Sequence, residues 1–346
     1  MSKRQSIYKA MALQTRCDAV NACADKNAAR AIMLKSLTRI EGQILSARAF
    51  HGEDLKLVQL PEYFLSGFPM RESADEWRDK ACITPDGAIY ARIGEIAHKT
   101  GTYIGGNAYE TDPHFPALYF QASFLFAPNG EMILRYRRLI SMYAPSPYDV
   151  WDSYTRHYSL EQVFPVVETP LGRIAAIASE EILYPEICRI LAARGAEIIL
   201  HPTSEASGTG MTPKNIAKIA RAQENMLYVI SANSAGIFGT PLAPASTDGR
   251  SQIVDDRGLV LAETGYGESI TACADIDITA LRHRRARIGM DNRLARSPMA
   301  MYAELFASLD IHPKGTLGEG QKAPAKEFYK NRQQSVIDKL KQAGIV

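Results

Sequence analysis

Three segments of the chain each place a reactive side chain directly after a stretch that has the pattern of a buried strand. Glu62 follows the apolar run 55–60, Arg138 ends the run that begins at 132, and Ser179 follows the run 173–177. A carboxylate can take and return protons, a cation can stabilise an oxyanion, and a hydroxyl can attack an electrophilic carbon. Taken singly, Glu62 is more simply explained as a loop-capping acid and Arg138 as a surface strand end.

Ser179 has the strongest local context of the three. The strand pattern at 173–177 leads into a short acidic turn, and residues 186–194 then have helical periodicity and end at Gly195. A side chain at such a strand-to-helix turn is held rigidly beside backbone N–H groups that can receive negative charge. A nucleophile requires this kind of position. Cys188, on the following helix, is expected to face the core instead.

A serine hydroxyl is weakly acidic and needs a strong general base during attack. The local sequence supplies none, because the chain has no G-x-S-x-G motif and its seven histidines show neither triad-like nor metal-like spacing. His201, at a predicted strand end, is the one histidine considered as a helper, although a packed strand-end histidine is the simpler explanation. Arg138 cannot act as the base, because a guanidinium stays protonated in proteins.

The composition is typical of a soluble globular protein, with 346 residues, 46% hydrophobic, 23% charged and a net charge of +2. This balance gives no basis for binding nucleic acid or a membrane surface, and the basic run 282–287 is interpreted as a solvated face. The five cysteines form no C-x-x-C pair and predict reduced thiols. No apolar run is long enough to span a bilayer. We therefore expect a cytoplasmic protein.

Strand-like and helix-like stretches alternate along the chain, which predicts an α/β fold. No linker divides the chain before about residue 280, so residues 6–281 are predicted to form one domain. The more polar segment 282–346 is expected to be a C-terminal extension for docking or dimerisation. The predicted strands are 7–14, 55–60, 103–107, 120–126, 132–136, 163–168, 173–177, 197–201, 227–232, 252–254, 260–263 and 269–276. The predicted helices are 28–47, 88–100, 186–194, 213–225 and 327–342.

Taken together, the three reactive segments resemble the motifs of the nitrilase (carbon–nitrogen hydrolase) superfamily, whose members hydrolyse nitriles, amides and carbamoyl compounds. The segment from Pro61-Glu62 through an aromatic loop to Gly67 is similar to the first motif of the family, and Tyr136-Arg137-Arg138-Leu139 is similar to the second. The third motif resembles the stretch from Ser179 through Pro185-Glu186 to Gly195-Ala196. The resemblance covers roughly residues 7–282.

Two positions depart from the family pattern. The family carries a Glu–Lys–Cys triad in this chain order, whereas this chain has Arg138 at the lysine position and Ser179 at the cysteine position. The family often has a further glutamate soon after the lysine. The only carboxylates between residues 141 and 154 are Asp149 and Asp152, so that role is left unassigned.

The resemblance implies a four-layer α-β-β-α sandwich of the nitrilase type, with a C-terminal extension. It implies attack by Ser179 on an amide carbonyl or a nitrile carbon, amide or carbamoyl being favoured over nitrile. Glu62 would act as general base and then as acid, while Arg138 and the backbone N–H of Glu180 would stabilise the oxyanion. Substrate contacts are expected from three side chains: Tyr63, Tyr184 and His201. Neither metal nor organic cofactor is implied, and homodimers or larger homo-oligomers are common in the family.

Three other interpretations are open at this point. The chain can be a catalytically silent homologue that binds a small amide or carboxylate. It can also be a cysteine enzyme in which serine was introduced at position 179, although Arg138 argues against a single trapping change. A nucleotide-binding protein is the weakest alternative. It rests on the glycine-rich segment 207–210 and lacks both a Walker lysine and a G-x-G-x-x-G motif after a strand.

Overall fold

The computed structural model describes residues 7–206, 210–309, 311–318 and 320–346. Most of the glycine-rich segment, Ser207-Gly208-Thr209, therefore lies outside the described residues. The described residues contain fourteen strands: β1 Ile7–Ala12, β2 Cys17–Asp18, β3 Leu55–Gln59, β4 Tyr103–Glu110, β5 Phe120–Phe126, β6 Met132–Arg137, β7 Val167–Thr169, β8 Gly172–Ala176, β9 Ile198–Pro202, β10 Tyr228–Ala232, β11 Ile237–Phe238, β12 Gln252–Val254, β13 Val260–Glu263 and β14 Cys273–Asp277.

Twelve of these strands form two six-stranded sheets of similar design. The first has the order β14-β1-β3-β4-β5-β6 and the second has the order β13-β12-β10-β9-β8-β7. In each sheet three central strands are parallel, namely β1-β3-β4 and β8-β9-β10, and the flanking strands pair antiparallel. The carboxyl ends of parallel strands lie at one edge of a sheet, so the residues that follow β3 and β8 occupy favourable positions for a site.

Eleven α-helices complete the described part of the chain: α1 Lys26–His51, α2 Ala74–Ala81, α3 Ala88–Thr100, α4 Trp151–His157, α5 Leu160–Val163, α6 Pro185–Ala193, α7 Pro213–Asn225, α8 Ile278–Ala286, α9 Arg293–Arg296, α10 Ala300–Ser308 and α11 Lys326–Gln342. Apolar side chains of α1 and α3, such as Met33 and Ile93, pack on the first sheet. Those of α6 join the core that the two sheets share, which includes Leu191 and Ile199. The expected four-layer α-β-β-α sandwich is therefore confirmed.

Most predicted elements are present with bounds shifted by a few residues, and 88–100, 120–126 and 213–225 are reproduced in full. The predicted strand 163–168 is wrong over its first part. Residues Leu160–Val163 form the short helix α5, at whose start the Ser159 amide donates to Oε1 of Gln162 at 2.8 Å, and β7 begins only at Val167. Helix α2 and the helices α8 to α10 were not predicted.

The boundary expected between residues 281 and 282 falls inside helix α8. Two arginines on this helix bind the main body of the fold: Arg282 pairs with the buried Glu197, and Arg285 donates to the carbonyl of Met226 at 2.8 Å. Helix α8 thus continues across the expected boundary and contacts the main body of the fold. The division into a domain of residues 6–281 and an extension of residues 282–346 stays a prediction.

Residues of the C-terminal segment contact an earlier segment of the same chain. The amide of Leu317 donates to the carbonyl of Asp149 at 2.9 Å, and Arg332 on α11 forms an ion pair with the carboxylate of the same residue. Asp149 is buried, and its carboxylate also accepts from the Ser146 amide at 2.9 Å.

Within the described residues, no helix has the length and apolar character needed to cross a membrane.

Candidate active site

The structure gathers the predicted catalytic side chains at one edge of the two sheets. Glu62 follows β3, Arg138 follows β6, and Ser179 follows β8, so each side chain emerges at the end of a buried strand. All three are largely shielded, with exposures of 1% for Glu62, 8% for Arg138 and 3% for Ser179. A carboxylate and a guanidinium at such depth are stable only when they are paired and hydrogen-bonded.

Glu62 and Arg138 share Gln121 of β5 as a hydrogen-bonding partner. Nη1 of Arg138 donates to Oε1 of Gln121 at 2.8 Å, and Nε2 of Gln121 donates to Oε1 of Glu62 at 2.7 Å. The same arginine nitrogen lies 3.5 Å from Oε1 of Glu62. Nε2 of Gln121 also donates to Oδ1 of Asn107 at 2.9 Å. Both contacts of the Glu62 carboxylate go to the same oxygen, Oε1, and Asn107 helps to orient the Gln121 side chain that makes one of them.

The remaining donors of Arg138 point toward the serine turn. Nε donates to the carbonyl of Ile140 at 2.7 Å, and Nη2 forms an ion pair with the carboxylate of Glu180. Burial alone would lower the pKa of Arg138, but the carboxylates of Glu180 and Glu62 raise it above the ordinary value. The guanidinium is therefore a permanent cation paired with Glu180, the residue that follows Ser179.

Replacing Arg138 by methionine is expected to destabilise the fold, because it leaves the buried Glu62 carboxylate without a cation. Removing one partner of a buried ion pair typically costs about 3–5 kcal/mol. Arg138→Lys retains the charge and should lose much less. Urea unfolding of the parent and both variants measures this difference, and a methionine variant as stable as the parent would show that the pair contributes nothing to folding.

The turn at Ser179 has a backbone conformation that L-residues adopt rarely. Ser179 has φ +45° and begins the 3-10 helix Ser179–Leu183. A non-glycine residue in the left-handed region costs roughly 1–2 kcal/mol and persists only where its surroundings fix it. The hydroxyl of the first residue in a tight helical turn after a strand is presented in a fixed direction, as nucleophilic attack requires.

His201 is one of the residues that fix this turn. Its Nε2 lies 2.8 Å from the Ser179 carbonyl oxygen, and its Nδ1 lies 2.8 Å from Oγ of Ser231. Because a carbonyl only accepts, Nε2 carries the proton, and burial holds the pKa of His201 well below its usual value. Both ring nitrogens are occupied and the side chain is fully buried. The structure therefore corrects the expected substrate contact: His201 supports the turn from beneath.

Glu181, which the sequence analysis did not single out, joins the serine turn to the segment after β6. Its carboxylate accepts from the backbone N–H groups of Leu139 at 2.7 Å, Ile140 at 3.1 Å and Ala178 at 2.9 Å. Burial raises the pKa of Glu181 to about 7, although Arg138 and these amides oppose the shift. Glu181 thereby sets the spacing between Arg138 and Ser179.

Lys214 also reaches the site, and no local pattern in the sequence indicated it. This lysine lies in the first turn of α7, and its Nζ is 2.9 Å from Oγ of Ser179 and 3.3 Å from Oγ1 of Thr203. Thr203 in turn accepts from the amide of Glu62 at 3.3 Å through its carbonyl oxygen. Thr203 thus connects the serine–lysine contact with the backbone of Glu62.

The two tyrosines expected to contact substrate differ in their surroundings. Tyr63 has φ +63°, and its ring stacks on Tyr109 with centroids 6.0 Å apart. Burial and the adjacent Glu62 carboxylate raise the pKa of Tyr63. Tyr184 is 38% exposed immediately before α6, and burial together with the nearby Glu180 raises its pKa. Tyr184 is the more accessible of the two, and its role as a substrate contact stays a prediction.

Other candidate residues lie outside this cluster. Asp149 binds the C-terminal extension, and Asp152 is exposed and pairs with Lys314 at 3.1 Å, so the structure gives neither a place beside the triad. Cys188 is buried in the core as expected, where burial raises the pKa of its thiol to about 12. In the part of the chain that the structure describes, no group of three or more His, Cys, Asp or Glu side chains is arranged to hold a metal ion.

Comparison with known proteins shows the family of the chain. The sequence profile described as "Carbon-nitrogen hydrolase" matches residues 23–286. An omega-amidase of Bos taurus is 27% identical over 258 residues, covering 74% of this chain and 88% of the relative. A deaminated glutathione amidase of Yersinia enterocolitica is 28% identical over 231 residues, covering 66% and 77% of the two chains.

Solved structures agree on the fold. Nit3 of Saccharomyces cerevisiae, described as a member of branch 10 of the nitrilase superfamily, superposes with a TM-score of 0.63 at 21% identity, covering 83% of this chain and 96% of Nit3. An amidase from Nesterenkonia sp. gives a TM-score of 0.59 at 20% identity and covers 88% and 98% of the two chains. Because the family profile matches residues 23–286, most of its length, the chain belongs to the carbon–nitrogen hydrolase family and is an amidase-like member of the nitrilase superfamily.

Proposed function

We propose that this protein hydrolyses the C–N bond of a small non-peptide amide or carbamoyl compound through an acyl-enzyme on Ser179. The observation that carries the proposal is the Ser179 turn: a left-handed serine whose Oγ is hydrogen-bonded to a lysine, and whose neighbour Glu180 pairs with the Arg138 that also contacts Glu62. The activities of two relatives, an omega-amidase and a deaminated glutathione amidase, favour amide over nitrile as the substrate class.

In the proposed reaction, Oγ of Ser179 attacks the carbonyl carbon and the nitrogen departs as ammonia or an amine. Arg138 and the backbone N–H of Glu180 stabilise the oxyanion, which takes over the guanidinium contact that the Glu180 carboxylate makes in the free protein. Glu62 takes and returns protons, and water then releases the acid from the ester. Tyr63 and Tyr184 are proposed to border the substrate. The cycle calls for neither a metal nor an organic cofactor.

A second candidate function is binding without turnover. It is favoured by the Glu180–Arg138 ion pair, which occupies the proposed oxyanion donor, and by a hydroxyl where the family has a thiol. A silent homologue would hold a small carboxylate or amide against the Arg138 guanidinium, which can bind a carboxylate with two parallel hydrogen bonds.

The cellular setting and the assembly of the protein are also proposals. Five free cysteines support a cytoplasmic setting. Helix α10 presents an apolar face that suits an interface between two copies of the chain, with Met301, Leu305 and Phe306 each at least 60% exposed. We keep a homodimer or a larger homo-oligomer as the proposed assembly.

The proposed function is tested by measuring ammonia release from a panel of small amides, carbamoyl compounds and nitriles. Intact-protein mass spectrometry, followed by peptide mapping, identifies any acyl adduct. We expect ammonia from at least one amide or carbamoyl compound and an adduct on the peptide that contains Ser179. Saturable binding of panel compounds with no ammonia release and no adduct would replace the hydrolase by the silent homologue.

A further inference from the structure

The proposed attack by Ser179 leaves one chemical question open, namely which group removes the hydroxyl proton. The Glu62 carboxylate is hydrogen-bonded to Gln121 and lies near the Arg138 guanidinium. The only side chain within hydrogen-bond distance of Oγ in the described part of the chain is Lys214, at 2.9 Å. A serine nucleophile needs a base in direct contact, so Lys214 is the side chain in position to act as that base.

Lys214 is held in place by the start of helix α7. Thr212 caps the helix by accepting the Asn215 amide at 3.1 Å, and Pro213 occupies the first helical position. The hydroxyl of Thr212 also donates to Oε2 of Glu205 at 3.1 Å. The aliphatic part of Lys214 thus extends from a rigid turn, and its half-buried amine points at two hydroxyl groups.

The charges around Lys214 are unusual for a lysine. Within the described residues, no carboxylate oxygen lies within 4.0 Å of its nitrogen, and its two partners, Ser179 and Thr203, are neutral. The nearest acid on the neighbouring segment, Glu205, is paired with the fully buried Lys218 one turn further along α7. His201 beneath the turn is neutral. An amine without a counter-ion beside a second lysine is the setting in which lysine acts as a base.

We propose that Lys214 is a catalytic residue, the base that takes the proton from Oγ of Ser179; this inference rests on the proposed function of Ser179 as a nucleophile. As the bond between Oγ and the carbonyl carbon forms, the hydroxyl proton passes to Nζ of Lys214. When the C–N bond breaks, the same proton passes from Nζ to the departing nitrogen, which leaves as ammonia, and Nζ can accept a proton once more.

The second half of the cycle returns Ser179 to its starting state. The oxygen of a water molecule forms a bond with the acyl carbon, and Glu62 accepts the proton that the water loses. The ester bond to Oγ then breaks, and Glu62 passes that proton to Oγ as the carboxylic acid departs. Each group ends in the state in which it began, and no further reactant is needed. The serine position thus uses two bases, a lysine for acylation and a carboxylate for deacylation.

The inference is tested by the rate at which an alkyl fluorophosphonate labels Ser179, followed by intact-protein mass spectrometry. In that reaction an Oγ–P bond forms, the P–F bond breaks, fluoride leaves and the Oγ proton goes to the base, so amide turnover is not required. We expect labelling of the parent and at least a ~100-fold slower rate in Lys214→Met. Lys214→Arg should be as slow as Lys214→Met, because a guanidinium donates hydrogen bonds but does not accept a proton.

Three results would overturn the inference. The first is that the reagent does not label the parent, and the second is that Lys214→Met is labelled at the parental rate. The third is that Lys214→Arg is labelled like the parent, which would show that Lys214 acts only as a fixed cation. Lys214→Ala with added ethylamine provides an independent check, since a small amine entering the vacated space should restore part of the labelling rate. Ammonia release by the parent with undisturbed labelling of Lys214→Met would leave the proposed function standing and remove only the lysine.

Discussion

Ser179→Ala is expected to abolish ammonia release and the acyl adduct, lowering kcat/KM by at least about 10⁴-fold. The variant lacks the only atom that can form the ester, while the fold has little reason to change. Alanine tolerates the left-handed backbone about as well as serine, and the contact of His201 with the carbonyl of residue 179 does not involve the side chain. The thermal midpoint of the variant should therefore stay close to that of the parent.

The Ser179→Cys variant distinguishes a slow enzyme that uses serine from an enzyme that has lost its nucleophile. A thiol at the start of a helical turn, with the Arg138 guanidinium paired to the following Glu180, ionises more readily than a hydroxyl, so the cysteine variant should turn over at least as fast as the parent. Ser246→Ala, on an exposed segment, is the matched control and should behave like the parent. If parent and Ser179→Ala were equally silent while Ser179→Cys was active, the site would be a hydrolase site that has lost its nucleophile. Silence in all three would favour a binding protein.

The strand ends that carry Glu62, Arg138 and Ser179 could be predicted from the sequence because the information is local to each strand, while the catalytic roles of the three residues stay a prediction. Glu62, Arg138 and Ser179 each follow an apolar run, and parallel strands bring their carboxyl ends to one side. The strand wrongly predicted at 163–168 has a local cause as well. An apolar run of this length is compatible with helix or strand, and the capping pair Ser159 and Gln162 decides for a helical turn. Similarly, helix α2 was not predicted although its capping pair, Ser73 and Glu76, is present in the sequence.

Lys214 and His201 show where such local reasoning ends. Lys214 is 35 residues from Ser179 in sequence, and it reaches Oγ only because the first turn of α7 packs on the serine turn. Because His201 ends a strand, the sequence predicts that it contacts substrate. In the structure its ring instead forms a hydrogen bond with the Ser179 carbonyl. The side of a strand that a residue faces, and the helix that lies over it, depend on pairing between distant segments. No single-residue pattern contains that information.

Arg138 and Lys214 have different tasks in the proposed mechanism. The Arg138 guanidinium contacts Gln121, Glu62 and Glu180 together. Such a fork of donors suits an arginine and exceeds the reach of a single ammonium. The amine that contacts Oγ of Ser179 comes instead from Lys214 on α7. In the proposed mechanism, the cation that holds the carboxylates and the base that faces Ser179 are therefore two different residues.

Glu62→Gln is expected to lower kcat by at least about 10³-fold with almost no loss of stability. The amide oxygen of the variant can still accept from Nε2 of Gln121, and Arg138 keeps its ion pair with Glu180, so no buried charge is left alone. The variant lacks a carboxylate to activate water. It should therefore be acylated once and then stall, which mass spectrometry detects as a persistent adduct on Ser179 after a single burst of ammonia.

The adduct distinguishes the possible roles of Glu62. A stalled acyl-enzyme places the carboxylate in deacylation, as the division between Lys214 and Glu62 requires. A variant with neither turnover nor adduct would place Glu62 in the first step and assign the Oγ proton to it. Full activity in Glu62→Gln would remove Glu62 from the mechanism. Glu53→Gln is the matched control. It removes the exposed carboxylate of the loop before β3, so it tests for a general effect of charge, and the variant should match the parent.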